Sequence, residues 1–189
     1  MSFDNIILIG PAGAGKSTTA CLLAQRMGRP HVALDKERFR YYEEIGYNAE
    51  LAAQLRHTNF EELIRYYEPF NAYAVGRVLE DYDGCIIDFG AIHSVYDTAA
   101  LFKQAQTALA PYPHVILLLP CTNIERSVEV LMERGRMGEQ VDERKEAMWR
   151  RIIRRFLENP SNSALAKHTV CTDGKTPEEV TRDVLECIA

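Results

Sequence analysis

The chain has 189 residues, 47% of them hydrophobic and 26% charged, the balance of an ordinary globular domain, which excludes disordered and fibrous classes. Its 22 basic and 27 acidic residues leave a net charge of −5 with no basic block, which argues against a dedicated nucleic-acid binder. No apolar run approaches the roughly 18 residues that span a bilayer, and the N-terminal MSFDNIILIG carries neither a basic stretch nor a small-residue cleavage site. With scattered cysteines and no CxxC spacing, these features predict a cytoplasmic protein with reduced thiols and no membrane partner.

In chain order, residues 5–9 are a β-rich run and residues 16–27 a helix closed by Gly28 and Pro30. Residues 31–34 predict a second strand that ends at Asp35. Residues 35–80 are mostly helical, with breaks expected near Gly46 and Pro69. A third strand, 85–87, is entered through Asp83-Gly84, and a helix follows over 97–110, stopped by Pro111 and Pro113. Residues 115–119 form the most apolar strand. Helices are predicted over 123–133 and 142–158, with Gly135 and Gly138 opening a mobile segment between them. A last strand, 169–171, precedes a helix over 177–188, where Pro177 suits the first turn. Alternating strands and helices in one domain predict an α/β fold, with about five fully buried parallel strands and helices on both faces.

The loop after the first strand, Gly10-Pro11-Ala12-Gly13-Ala14-Gly15-Lys16-Ser17, fits GxxxxGK[ST]. Glycines at positions 10, 13 and 15 let the backbone wrap with its N–H groups turned inward as an anion nest. The helix that follows aims its positive end at the same point. Backbone N–H groups from Gly13 through Ala14, Gly15 and Thr18 are expected to hold phosphates, Lys16 to reach the β- and γ-phosphates, and Ser17 to ligate Mg²⁺. ATP and Mg²⁺ are therefore the expected cofactors.

Within the P-loop NTPase fold, a GTPase is excluded by the lack of NKxD. Cys85-Ile86-Ile87-Asp88 reads as a Walker B strand with Asp88 placed for Mg²⁺ or its water. Phe89 follows where a hydrolytic ATPase needs Glu, so a motor ATPase is disfavoured.

The strand Ile6-Ile7-Leu8-Ile9 with its phosphate loop, and Arg29-Pro30 leading to Asp35, resemble shikimate kinase and its relatives in the nucleoside-monophosphate-kinase-like group. So do the turn Asp88-Phe89-Gly90-Ala91, the Arg-bearing stretch 134–144 and Thr172-Asp173-Gly174-Lys175-Thr176-Pro177. The resemblance spans the whole chain thinly. It implies a five-stranded parallel sheet in the order 2-3-1-4-5, a helical acceptor-binding region at about 36–82 and a small lid at about 134–145. It also implies adenine contact near Lys175. The departures are specific. The family's Asp-x-Asp after strand two is Ala33-Leu34-Asp35 here, and its triple glycine is Asp88-Phe89-Gly90. Its arginines for the shikimate carboxylate fall on Tyr67 and near Glu158, which removes the bidentate anchors.

Asp35 and Asp88 end strands at the edge where parallel sheets bind ligands, so either can orient or deprotonate an attacking hydroxyl. Arg38, Tyr67, Gly90 and His93 are candidates for acceptor contact, with Ser94 a possible cap for the next helix. Arg134 and Arg136 flank Gly135, as a lid that stabilises transferred charge requires. The arginines at 150, 151, 154 and 155 lie opposite an apolar stripe and read as a solvated or ion-paired face. The expected function is a kinase that moves the γ-phosphoryl of ATP to a small-molecule hydroxyl other than shikimate. An ATP-dependent switch without an acceptor is the alternative. A nucleoside-monophosphate kinase ranks third, because DG-x-PR is missing. Monomer and homodimer stay open.

Overall fold

A computed structural model describes residues 4–135 and 142–189. Five parallel strands form one sheet: β1 (Ile6–Ile9), β2 (His31–Ala33), β3 (Ile86–Asp88), β4 (His114–Leu119) and β5 (His168–Cys171). Their order is β2-β3-β1-β4-β5, the arrangement expected from the sequence. β1 lies at the centre, with all four residues at most 1% exposed. Its side chains alternate. Ile7 and Ile9 join one core, while Ile6 and Leu8 join the other. Truncating any of them to Ala would cost roughly 2–5 kcal/mol. The edge strands β2 and β5 are only partly buried, against the expectation of full burial, because each has a neighbour on one side alone.

The two faces are covered differently. Helices α1 (Lys16–Met27) and α9 (Pro177–Ile188) pack on one face through Leu23, Val180 and Val184. The other face carries α2 (Leu34–Glu44), α4 (Phe60–Asp81) and α5 (Ala99–Leu109), with α3 (Ala49–Thr58) against α4 and the short α8 (Ser161–Leu165) beneath. α6 (Ile124–Gly135) and α7 (Glu143–Glu158) share a small separate core of Val128, Leu131, Met132 and Ile153. No helix among the described residues is long and apolar enough to cross a membrane.

Caps explain several boundaries. Thr176 and Glu179 satisfy each other's backbone N–H groups at the start of α9, with Pro177 in its first turn. Asn48 and Asn59 accept bonds from Leu51 N and Glu62 N, which starts α3 and α4. The second break in the helical region therefore lies at Asn59. None occurs at Pro69, which sits inside α4 while Tyr67, Glu68, Phe70 and Asn71 are buried around it. That packing outweighs the one lost helical bond.

Two further boundaries differ from expectation. β2 stops at Ala33 and α2 begins at Leu34, so Asp35 belongs to the first turn of a helix. Arg134 belongs to the last turn of α6, not to a mobile segment. Arg136 and residues 137–141 of the expected lid lie outside the described residues.

Candidate active site

The phosphate loop turns between β1 and α1 through three left-handed glycines, Gly10 (φ 133°), Gly13 (φ 79°) and Gly15 (φ 95°). Gly10 is required twice over, since a Cβ there would also overlap the carbonyl oxygen of Leu118 on β4. Lys16 folds back across the loop, donating from Nζ to the carbonyls of Gly10 and Pro11, both at 2.8 Å. Burial pushes its ammonium down to about 8, against the pull of Asp35 and Asp88. A polyphosphate would add counter-charge beside this buried amine.

Beside the loop, the Ser17 hydroxyl donates to Asp88 Oδ2 at 2.5 Å. The Asp88 side chain is 7% exposed. A serine oxygen and a buried carboxylate at the end of an anion nest are hard oxygen donors of the kind Mg²⁺ takes when phosphate and water complete its shell. The other Asp88 oxygen, Oδ1, lies 2.5 Å from His31 Nε2. The β2–β3 register sets Ala33 directly opposite Asp88.

The second carboxylate has other partners. Asp35 accepts from the Arg38 guanidinium at 2.6 Å. It rests against the backbone of Gly90, where a Cβ would overlap its carboxyl group. His93 Nδ1 lies 3.9 Å from Asp35 Oδ1. The imidazole is fully buried, which lowers its pKa to about 4 and keeps it neutral at physiological pH. Tyr42 contacts its far side at 3.3 Å and donates in turn to Asn71 Oδ1. Among the described residues, His93 Nδ1 and Arg38 Nε are both buried without a hydrogen-bond partner. Behind them, Phe39, Tyr42, Tyr47, Tyr66, Tyr67 and Phe70 form one aromatic cluster from α2, α4 and the turn between α2 and α3. Tyr67 stacks on Tyr47 at 6.0 Å and is 8% exposed.

The Asp35 side is braced from below. Glu68 on α4 accepts from the backbone N–H groups of Asp97 and Thr98, both at 2.7 Å, at the start of α5. The Tyr96 hydroxyl donates to the His93 carbonyl at 2.8 Å. Ser94 does not cap α5. Its hydroxyl is buried without a partner in a 3₁₀ turn over Ala91–Ser94, and Thr98 takes the cap position.

On the opposite side of the phosphate loop is a cavity of about 390 Å³, bordered by Gly15, Thr18, Arg134, Thr172, Lys175 and Pro177. Arg134 is held there by the carbonyl of Gly13 at 3.0 Å and by Thr172 through its hydroxyl at 3.1 Å and its carbonyl at 3.0 Å. Lys175 borders the same cavity but spends its ammonium on Asp183 at 2.6 Å. Four arginines of α7 each meet a carboxylate: Arg150 with Glu129, Arg151 with Glu61, Arg154 with Glu125 and Arg155 with Asp97.

The fold thus gathers Lys16, Ser17, Asp35 and Asp88 at one sheet edge, with Gly90, Arg38 and His93 beside Asp35. It sets Arg134 and Lys175 apart, at the cavity on the other side of the phosphate loop. Sequence reasoning missed His31 and Glu68. Neither lies in a motif, and His31 meets Asp88 only because β2 pairs with β3. Pairing of that kind leaves no local signal.

No family model matches the chain. It is 30% identical over 191 residues to the shikimate kinase of Streptomyces coelicolor, covering 100% of this chain and 97% of that protein. Among solved structures, shikimate kinase from Acinetobacter baumannii in complex with shikimate aligns with a TM-score of 0.66 at 19% identity. That alignment covers 98% of this chain and 92% of the other. A gluconokinase from Sinorhizobium meliloti aligns at 0.56 and 17% identity, over 100% and 93% of the two chains.

Proposed function

The chain belongs to the shikimate kinase family of P-loop kinases and is a small-molecule kinase, and from that premise we propose that it moves the γ-phosphoryl of ATP to a hydroxyl of an acceptor other than shikimate. One observation carries the reading. The two carboxylates at the sheet edge have separate company, Asp88 with Ser17 and Asp35 with Arg38, Gly90 and His93. Such a division suits a site with a metal end and an acceptor end. Mg²⁺, when bound, neutralises charge on the β- and γ-phosphates. Ser17 and Asp88 would hold it. Lys16 and the inward N–H groups of the loop hold the phosphates.

Asp35 orients the acceptor hydroxyl and takes its proton as the acceptor oxygen bonds to the γ-phosphorus and the bond to the ADP oxygen breaks. The products are ADP, the acceptor phosphate ester and a proton. Arg134 and Lys175 border the nucleoside, with the guanidinium available to stack on the base.

The case against shikimate rests on charge. Tyr67, at the position of one family arginine, is a neutral ring packed among other rings. Glu158, near the other, is itself acidic and lies 3.5 Å from Arg154. A carboxylate brought to this end would meet Asp35, and the guanidinium beside it, Arg38, is already held by that aspartate at 2.6 Å. The aromatic cluster and a neutral imidazole therefore favour an uncharged, hydroxyl-rich acceptor.

ADP release from Mg·ATP, alone and with pools of shikimate, sugars, polyols and nucleosides, tests this. Low basal release raised many-fold by a pool without shikimate is the expected result. The fastest turnover with shikimate would overturn the acceptor assignment. Flat release across every pool, with nucleotide still bound, would favour the switch instead.

A further inference from the structure

The Ser17–Asp88 pair is the inner end of a longer line. His31, the first residue of β2, reaches Asp88 Oδ1 at 2.5 Å, and its other ring nitrogen lies 3.4 Å from the Cys21 thiol on α1. The proton assignment is self-consistent. An ionised carboxylate only accepts, so Asp88 takes Ser17 O–H on Oδ2 and His31 Nε2–H on Oδ1. Nδ1 is then left as an acceptor, and the thiol donates to it. Both oxygens of Asp88 are engaged from opposite sides, which fixes the rotation of the carboxylate about its last bond.

A bond between β2 and β3 could serve only to join the strands. The backbone ladder already does that, with His31, Val32 and Ala33 paired to Ile86, Ile87 and Asp88. The side-chain bond instead goes to the one β3 residue that also holds Ser17. We propose that His31 is a positioning residue for the metal end of the site, holding Asp88 so that its carboxylate stays aimed at the ion beside Ser17. Outer partners of this type orient a ligating group, and their loss commonly weakens metal binding 10- to 100-fold. The inference rests on the assignment of Asp88 to the metal end.

The test is binding, not turnover: a fluorescent ADP analogue titrated into the full-length protein at increasing Mg²⁺ and, separately, in EDTA. In His31→Ala, the Mg²⁺ concentration for half-maximal enhancement of binding should rise about tenfold or more. His31→Gln, whose amide N–H can reach the same oxygen, should return to within about threefold of the parent. Cys21→Ala should shift it less than His31→Ala, because water can replace an exposed thiol. Affinity in EDTA should be unchanged in all three. An unchanged Mg²⁺ response in His31→Ala overturns the inference. So does an equal loss of affinity with and without Mg²⁺, which marks a structural role, or a Gln variant no better than the Ala variant. Asp88→Ala separates the two levels. If it leaves the Mg²⁺ response intact, the metal assignment fails and the inference with it. If Asp88→Ala shifts the response and His31→Ala does not, the role of His31 alone fails.

Discussion

The phosphate end and the acceptor end of this site are built by opposite means. At the phosphate end, residues 10 to 17 are contiguous and three left-handed glycines turn the backbone. Lys16 and Ser17 already have short partners in Gly10, Pro11 and Asp88. At the acceptor end, Asp35, Arg38, Tyr42, Asn71 and His93 come from α2, α4 and the turn after β3, and two buried polar atoms lack partners. The first end is finished by its own chain, whereas the second leaves hydrogen-bonding capacity for something it has yet to meet. Buried groups of that kind cost stability unless a ligand pairs with them. The difference therefore locates specificity at the acceptor end.

The sharpest way to break this comparison is Lys16→Ala. It should abolish acceptor-stimulated ADP production and weaken nucleotide binding together, because one ammonium serves both. Turnover surviving at the parental rate would remove the phosphate loop from the mechanism. Next in size is Asp35→Asn, which should lower kcat about 10²- to 10⁴-fold while the affinity for nucleotide stays within about twofold. Gly90→Ala should resemble it, since the added methyl group displaces the Asp35 carboxyl. Calorimetry with nucleotide alone checks the independence of the two ends; a matching loss of nucleotide affinity would merge them.

The smallest effect is a pH dependence. Free Lys16 gives up its proton near pH 8, and bound phosphate holds the proton on. Above that pH the protein must take up a proton to bind, so nucleotide affinity should fall as pH rises, by up to about tenfold per unit. Lys16→Arg, which stays charged, should flatten the profile even if it binds more weakly.

What was legible in the sequence follows the same division. The phosphate loop and the start of α9 at Thr176 and Pro177 are written in adjacent residues, and the sheet order came with the family resemblance. Pro69 misled because its local cost was set against burial of its neighbours, which no window of sequence contains. Arg134 read as part of a lid because Gly135 follows it. Its partners, Gly13 and Thr172, are distant in sequence and appear only once α6 lies beside the loop. The aromatic cluster was visible as scattered tyrosines, but not as one body.

The β2–β3 register has a consequence for how this chain is compared with its relatives. By the resemblance, the family's first aspartate after strand two falls on Ala33, and the first of its three glycines after strand three on Asp88. In space those positions are neighbours across one rung of the ladder, separated by the roughly 5 Å between paired strands. Column-by-column scoring counts two changes, whereas the phosphate end retains a carboxylate within one strand's width of where the family keeps it.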